Sequence, residues 1–264
     1  MKQRIITGVV AGALFIIFVL LGNLPFTLLV YALAAVGIYE LLKMKDIRIL
    51  SIPGILGLLI TFSLLMPESA ARNIQEATTY SKLEFLLIGA ILLLVYSVLV
   101  KNHFTFDDVG FTVLSTLYVG MGFYYLIETL DEGLKFLIFA LLIVWTTDSG
   151  AYFIGRKLGK KKLWPEISPN KTVEGFIGGI ITAVVFACIM QMIYPIASSW
   201  LVLVVISIIA SIFGQMGDLV ESAIKRHYGV KDSGKLLPGH GGILDRFDSL
   251  LFVLPLLHFL QFVN

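Results

Sequence analysis

Charge is scarce in this chain. Asp, Glu, Lys and Arg make up 14% of its 264 residues while 58% are hydrophobic, and the mean hydropathy is +0.91. A soluble globule of this size carries far more polar surface, so the composition excludes one and requires a membrane protein. Cysteine is nearly absent: Cys188 stands alone within an apolar run, where it reads as a core filler, and a thiolate metal site is excluded. The four histidines do not form a zinc set either. His258 lies in the last apolar run, His103 and His227 lie in or near turns, and only His240 falls within a polar cluster. Metal chemistry in this chain must rest on oxygen ligands.

What is abundant is apolar sequence in lengths that cross a bilayer. At about 20 helical residues per crossing, the runs fall at 5–22, 24–42, 50–67, 84–100, 108–128, 134–154, 173–194, 198–217 and 243–262. The pattern predicts an all-α, polytopic integral membrane protein with about nine transmembrane helices, the first two joined by the corner Gly22-Asn23-Leu24-Pro25. The first run follows Lys2 and Arg4 and is expected to be retained, because no small-residue cleavage site comes after it. Positive charge sets the orientation. With a cytoplasmic N-terminus, only Arg72, Lys82 and Lys135 of the 20 Lys and Arg fall outside, and the C-terminus is then outside as well. Residues 1–135 are expected to be a scaffold of transmembrane helices that also gives lipid access. Their charged exceptions, Glu40, Glu128 and Asp107-Asp108, stand near predicted helix ends, where a solvated charge costs little. The catalytic candidates belong to residues 136–264, and the two parts form one continuous membrane unit.

Three acid-bearing helix ends stand out in the second part. Asp148, in Thr146-Thr147-Asp148-Ser149-Gly150, shares a helix face with Tyr152 and must be paired, hydrated or metal-bound at that depth. Asp218 closes an apolar run and is followed by Glu221, Ser222, Lys225 and Arg226 at helical spacing. Asp245 and Asp248 stand three apart on the entry turns of the last run, with Arg246 between them. Carboxylates of this kind suit Mg²⁺, which is commonly held by one or two carboxylates plus substrate phosphates. Phosphate-binding candidates accompany them. Ser168-Pro169-Asn170-Lys171-Thr172 forms a compact turn at a helix entrance, where Lys171 and free backbone N–H groups can meet a phosphate. Glu174 suits the first helical turn. Lys231 and Asp232 precede Gly239, His240, Gly241 and Gly242, and such a turn can bring backbone N–H groups against an anion.

The segment Ser222-x-x-Lys225-Arg226-x4-Lys231-Asp232-Ser233-x3-Leu237-Pro238-Gly239-His240-Gly241-Gly242-x-x-Asp245-Arg246-x-Asp248 resembles the signature of the phosphatidate cytidylyltransferases, also called CDP-diacylglycerol synthases. Thr147–Tyr152 and Ser168–Gly175 resemble two further stretches of that family. The resemblance is densest over residues 145–250. It implies transfer of a cytidylyl group from CTP to phosphatidic acid, giving CDP-diacylglycerol and pyrophosphate, with Mg²⁺ as cofactor. One or two divalent ions are expected, and whether a monovalent cation joins them stays open.

On that reading Asp148, Asp218, Asp245 and Asp248 hold metal, and Lys225 and Arg246 join them in catalysis. Ser168, Asn170, Lys171, Thr172, Glu174, Ser222, Arg226, Lys231, Asp232, Gly239, His240, Gly241 and Gly242 contact the substrates. The partners are CTP, phosphatidic acid and membrane lipid, with no nucleic acid. The resemblance makes a homodimer reasonable and places the protein in the inner (cytoplasmic) membrane as a multi-pass enzyme whose site faces the cytoplasm. Two alternatives share the composition: another metal-dependent lipid phosphotransferase, and a secondary transporter of an anionic solute.

Overall fold

A computed structural model describes residues 2–263, with side chains from Ile6 onward. The two cations ahead of the first apolar run, Lys2 and Arg4, have side chains outside the described set. The described chain is helical apart from one small hairpin, as the composition predicts. It forms two compact units: residues up to Glu128 with Asp232–Leu244, and Thr129–Lys231 with the chain from Asp245 onward.

The first unit contains α1 (Lys2–Leu21), α2 (Asn23–Met44), α3 (Ile52–Leu64), α4 (Glu68–Thr78), α5 (Lys82–Leu99) and most of α6 (Phe106–Glu132). The expected corner after the first run is present: Gly22 has φ 60° and Asn23 φ 42°, and α2 starts there. Pro25 lies in the first turn of α2, where a missing N–H costs nothing. Ser51 caps α3, and Ser81 with Glu84 closes a capping box on α5, satisfying helix-end N–H groups. The stretch beginning Pro67-Glu68-Ser69 does start a helix, α4, which buries no residue and is bent 107° from α3. Ile60, Leu64, Leu93, Phe104 and Val109 pack as one buried cluster.

The second unit contains α7 (Leu134–Leu158), the antiparallel pair β1 (Lys162–Trp164) and β2 (Ser168–Thr172), α8 (Val173–Ile193), α9 (Trp200–His227), α10 (Leu244–Phe247) from Asp245 on, and α11 (Leu250–Phe259). Its packing is that of a membrane bundle. On α8 the buried residues include Gly175, Gly178, Gly179, Ala183 and Ala187, while Ile177, Ile181, Val185, Ile189 and Ile193 are exposed at a constant spacing of four. Small residues inward and branched apolar residues outward is the arrangement lipid favours, because close backbone approach supplies the association that a hydrophobic effect supplies in water. A Cβ on Gly179 would meet the Thr147 carbonyl oxygen at 2.8 Å, so α7 and α8 touch backbone to backbone. Polar ties cross the bundle, among them Thr147 Oγ1 to Ser211 Oγ at 2.8 Å and Gln215 Nε2 donating to the Phe176 carbonyl at 3.2 Å.

Among the described residues, α2, α5, α6, α7, α8 and α9 are long and apolar enough to cross a membrane, and the bent α3–α4 pair raises the number to seven. The remaining expected runs are shorter helices, Ile6–Leu21 and Leu250–Phe259. The last run departs from the expected continuous span. After the four residues of α10 the chain turns at Asp248 and Ser249, the Ser249 N–H donating to Asp248 Oδ1 at 2.7 Å, and only then does α11 begin.

Candidate active site

Within the second unit, α7, the β-hairpin, the start of α8 and the later part of α9 enclose a cavity of about 640 Å³, a size typical of small-molecule sites. From α7 come Asp148, Tyr152 and Arg156, four residues apart and so on one face. The Arg156 Nη1 donates to the Tyr152 hydroxyl at 3.3 Å. The hairpin and its flank contribute Lys160, Lys162, Ser168, Asn170, Lys171 and Thr172, and α9 contributes Gln215 and Asp218. Ser168–Thr172, expected as a turn, is instead the second strand of the hairpin; Thr172 then caps α8, its Oγ1 accepting from the Gly175 N–H at 3.1 Å.

Lys171 Nζ lies 2.6 Å from Asp218 Oδ2, and Ser222 Oγ donates to the other Asp218 oxygen at 3.3 Å. Asp148 is within electrostatic reach of Asp218, Lys171 and Arg246. Asp248 is within reach of Asp218, Asp148 and Lys225. Further along α9, Lys225 Nζ sits 2.5 Å from Glu221 Oε2 and 2.5 Å from Asp245 Oδ1. Glu221 is fully buried and its Oε1 has no hydrogen-bond partner. Two carboxylates on one ammonium leave that group of charges net negative, while Lys171 offsets part of the charge at Asp218.

By donor chemistry Asp148, Asp218 and Asp248 offer oxygen ligands of the kind a hard divalent cation takes, and on the neighbouring Glu221 one buried carboxylate oxygen has no hydrogen-bond partner. Among the described residues no three His, Cys, Asp or Glu side chains converge as a complete metal-holding group.

The other expected substrate-binding residues divide by place. The Glu174 carboxylate accepts from the Lys160 and Lys161 N–H groups at 3.0 and 3.2 Å, tying the loop ahead of β1 to the start of α8. Arg226 is exposed and donates to the Val230 carbonyl at 3.0 Å, and Lys231 is exposed. Asp232, Gly239, His240, Gly241 and Gly242 belong to the first unit. There Gly239 and Gly241 take φ of 80° and 82°, which only glycine adopts freely. The turn is closed by Leu237 N–H to the Gly241 carbonyl at 3.0 Å and His240 N–H to the Leu237 carbonyl at 2.8 Å. The His240 ring packs against Gly8 of α1, with Nδ1 buried and unpartnered.

The residue that sequence reasoning missed is Glu40. Expected at a solvated helix end, it is 2% exposed and accepts hydrogen bonds from Ser233 Oγ and from the Ile243 and Leu244 N–H groups. The signal was present, since Glu40 is the one acid in the apolar run of α2, and an ionisable residue within such a run needs a stated partner.

The cytidylyltransferase family model matches residues 2–263. This chain belongs to that family. Among curated members, the phosphatidate cytidylyltransferase of Bacillus subtilis (strain 168) is 55% identical over 263 residues, covering 98% of this chain and 97% of the relative. The phosphatidate cytidylyltransferases of Staphylococcus epidermidis (strain ATCC 12228 / FDA PCI 1200) and Staphylococcus aureus (strain COL) are 48% and 45% identical over 260 residues, each covering 98% of both chains. Membership extends through α1 to α6 as well as the polar stretches in which the resemblance was first seen. The cavity of the second unit is lined by Arg156, Lys160, Lys162 and Lys171 together with Asp148 and Asp218.

Proposed function

We propose that this chain is an enzyme that transfers the cytidylyl group of CTP to phosphatidic acid, releasing pyrophosphate and forming CDP-diacylglycerol, as a multi-pass protein of the cytoplasmic membrane with its site open to the cytoplasm. The observation that carries the reading is the cavity between α7, the hairpin and α9, whose lining includes four cations and two carboxylates. Family membership and the names of the relatives fix the chemistry to which that charge pattern is matched. In this reading residues 136–264 carry the chemistry and residues 1–135 support it.

The reaction requires one phosphate oxygen of phosphatidate to form a bond to the α-phosphorus of CTP while the bond from that phosphorus to the α,β-bridging oxygen breaks. Pyrophosphate takes the electron pair. The attacking oxygen is already anionic, so no side chain has to remove a proton. Arg156, Lys160 and Lys162 bind the triphosphate and hold it in line. In this reading Lys171, which pairs with Asp218, offsets the charge that accumulates on the transferring group. Ser168, Asn170 and Thr172 offer hydrogen bonds along the hairpin wall. Asp148, Asp218 and Asp248 would hold Mg²⁺, which when bound neutralises phosphate charge and orients both substrates.

The test is incubation of the purified protein in detergent with labelled CTP, phosphatidate and Mg²⁺. A labelled CDP-lipid and one equivalent of pyrophosphate are expected, and Asp248→Asn is expected to lower the turnover number by about 10²-fold or more while eluting from a sizing column as the wild type does. Uptake of a solute by reconstituted vesicles without any change in the lipid would overturn the reading in favour of a transporter. A labelled product with a polyprenol or another alcohol lipid, and none with phosphatidate, would replace it with a different lipid transferase.

A further inference from the structure

We infer that Glu40, on α2, is a positioning residue for the reaction, acting through the glycine-rich loop 233–244 without touching substrate. The inference rests on the activity proposed above. One carboxylate closes both ends of the loop. Its Oε2 accepts from Ser233 Oγ at 2.9 Å at the start and from the Leu244 N–H at 3.0 Å at the end, and its Oε1 accepts from the Ile243 N–H at 2.9 Å. Two glycines make the closure sterically feasible: a Cβ on either Gly234 or Gly242 would land on the Glu40 carboxyl group. Between Ser233 and Ile243 the chain forms no helix; its internal turn at Leu237–Gly241 and the Glu40 clasp at its two ends are what shape it in the hydrogen bonds described.

The position along the chain is what gives the clasp a catalytic consequence. Leu244, whose N–H Glu40 holds, is followed directly by Asp245, and Asp248 comes three residues later. Gly239, His240 and Gly241 lie between the two clasped ends. A single side chain, 193 residues away from Ser233 in sequence, thus sets where the glycine turn stands and where the run into the two acids begins. Charge-assisted hydrogen bonds to backbone N–H groups are well suited to this, being short, directional and strong. Gln cannot replace Glu here, because one of its two terminal atoms is a donor and would face an N–H donor.

The experiment compares wild type, Ser233→Ala and Glu40→Gln in detergent by two readouts. The first is steady-state kinetics, in which a positioning role lowers kcat by about 10²-fold in Glu40→Gln, less in Ser233→Ala, and shifts KM for CTP by less than about threefold because the cavity residues are untouched. The second is trypsin cleavage after the exposed Lys235 inside the loop, expected to be about tenfold faster in Glu40→Gln as the local opening becomes easier, with cleavage after the exposed Lys161 of the hairpin unchanged.

Wild-type kcat with unchanged cleavage at Lys235 would overturn the inference. So would equal acceleration at Lys235 and Lys161, which marks global loosening. Should Glu40→Gln not accumulate, Ser233→Ala carries the same two readouts, and its full activity with unaltered Lys235 cleavage would overturn the inference. Failure of the wild type to form a CDP-lipid overturns the proposed activity instead, and the cleavage pattern still reports whether Glu40 holds the loop.

Discussion

Lys225 is the side chain on which most local charge depends. It is 8% exposed, and its ammonium lies 2.5 Å from each of two carboxylates, on the buried Glu221 one helical turn before it and on Asp245 twenty residues after it. Replacing it by Met keeps the apolar stem and deletes the cation, leaving Glu221 and Asp245 without the ammonium between them. Breaking a buried pair in this way costs about 3–5 kcal/mol, and we expect Lys225→Met to lower Tm in detergent by about 5–15 °C. Adding Glu221→Gln removes one of the two carboxylate charges that the ammonium served and should restore part of that loss, the sign of a true coupling. A Tm unchanged in Lys225→Met would mean that the triad contributes nothing to the fold. The sequence displayed this triad only in part: helical spacing pairs Glu221 with Lys225, whereas nothing in spacing brings Asp245 to the same ammonium. Glu40 was misread for the same reason, since its partners lie 193 to 204 residues away and periodicity carries no information at that separation.

Among the elements, the α7–α8 pair is the one whose geometry the cavity inherits. Asp148, Ala151, Tyr152 and Gly155 on α7 and Gly175 and Phe176 on α8 line it, and the two helices approach so closely that a Cβ on Gly179 would meet the Thr147 carbonyl oxygen at 2.8 Å and the Ala151 Cβ at 3.3 Å. Backbone cannot yield as a flexible side chain does. Gly179→Val should therefore cost about 1–3 kcal/mol by overpacking and raise KM for CTP as the cavity walls separate. Gly12→Val on α1, where a Cβ meets nothing within 4 Å, should change neither Tm nor KM; an equal effect from both would show that helix propensity, not contact, is responsible. Elements of this kind were legible as runs because apolar length and glycine spacing are local properties. The hairpin was not, because Lys162–Trp164 and Ser168–Thr172 are too short and too polar to show strand alternation. The division of the last run into α10 and α11 was hidden too, since apolar length does not register a break of two residues at which the Asp248 side chain accepts from its neighbour's N–H.

For the molecule as a whole, the charge asymmetry makes a claim that chemistry on one cysteine can test. If the N-terminus is cytoplasmic, residues 67–83 lie outside and the hairpin at 160–172 lies inside, because α5, α6 and α7 intervene and an odd number of crossings exchanges the sides. Each of those three helices is long and apolar enough to cross. The chain has a single cysteine, Cys188, so Cys188→Ala supplies a background free of thiols. On it, Asn73→Cys in α4 and Lys161→Cys ahead of β1 each present one exposed site. In right-side-out vesicles a membrane-impermeant maleimide should label Asn73→Cys and spare Lys161→Cys, and inverted vesicles should reverse the pattern. On the proposed reading a nucleotide that cannot cross lipid reaches Arg156, Lys160, Lys162 and Lys171 from the cytoplasm, so labelling of Lys161→Cys from outside would break the proposed link between the cavity and CTP. Labelling of both sites from one side would show that one of α5, α6 and α7 does not cross, and would invert the side assigned to every later loop.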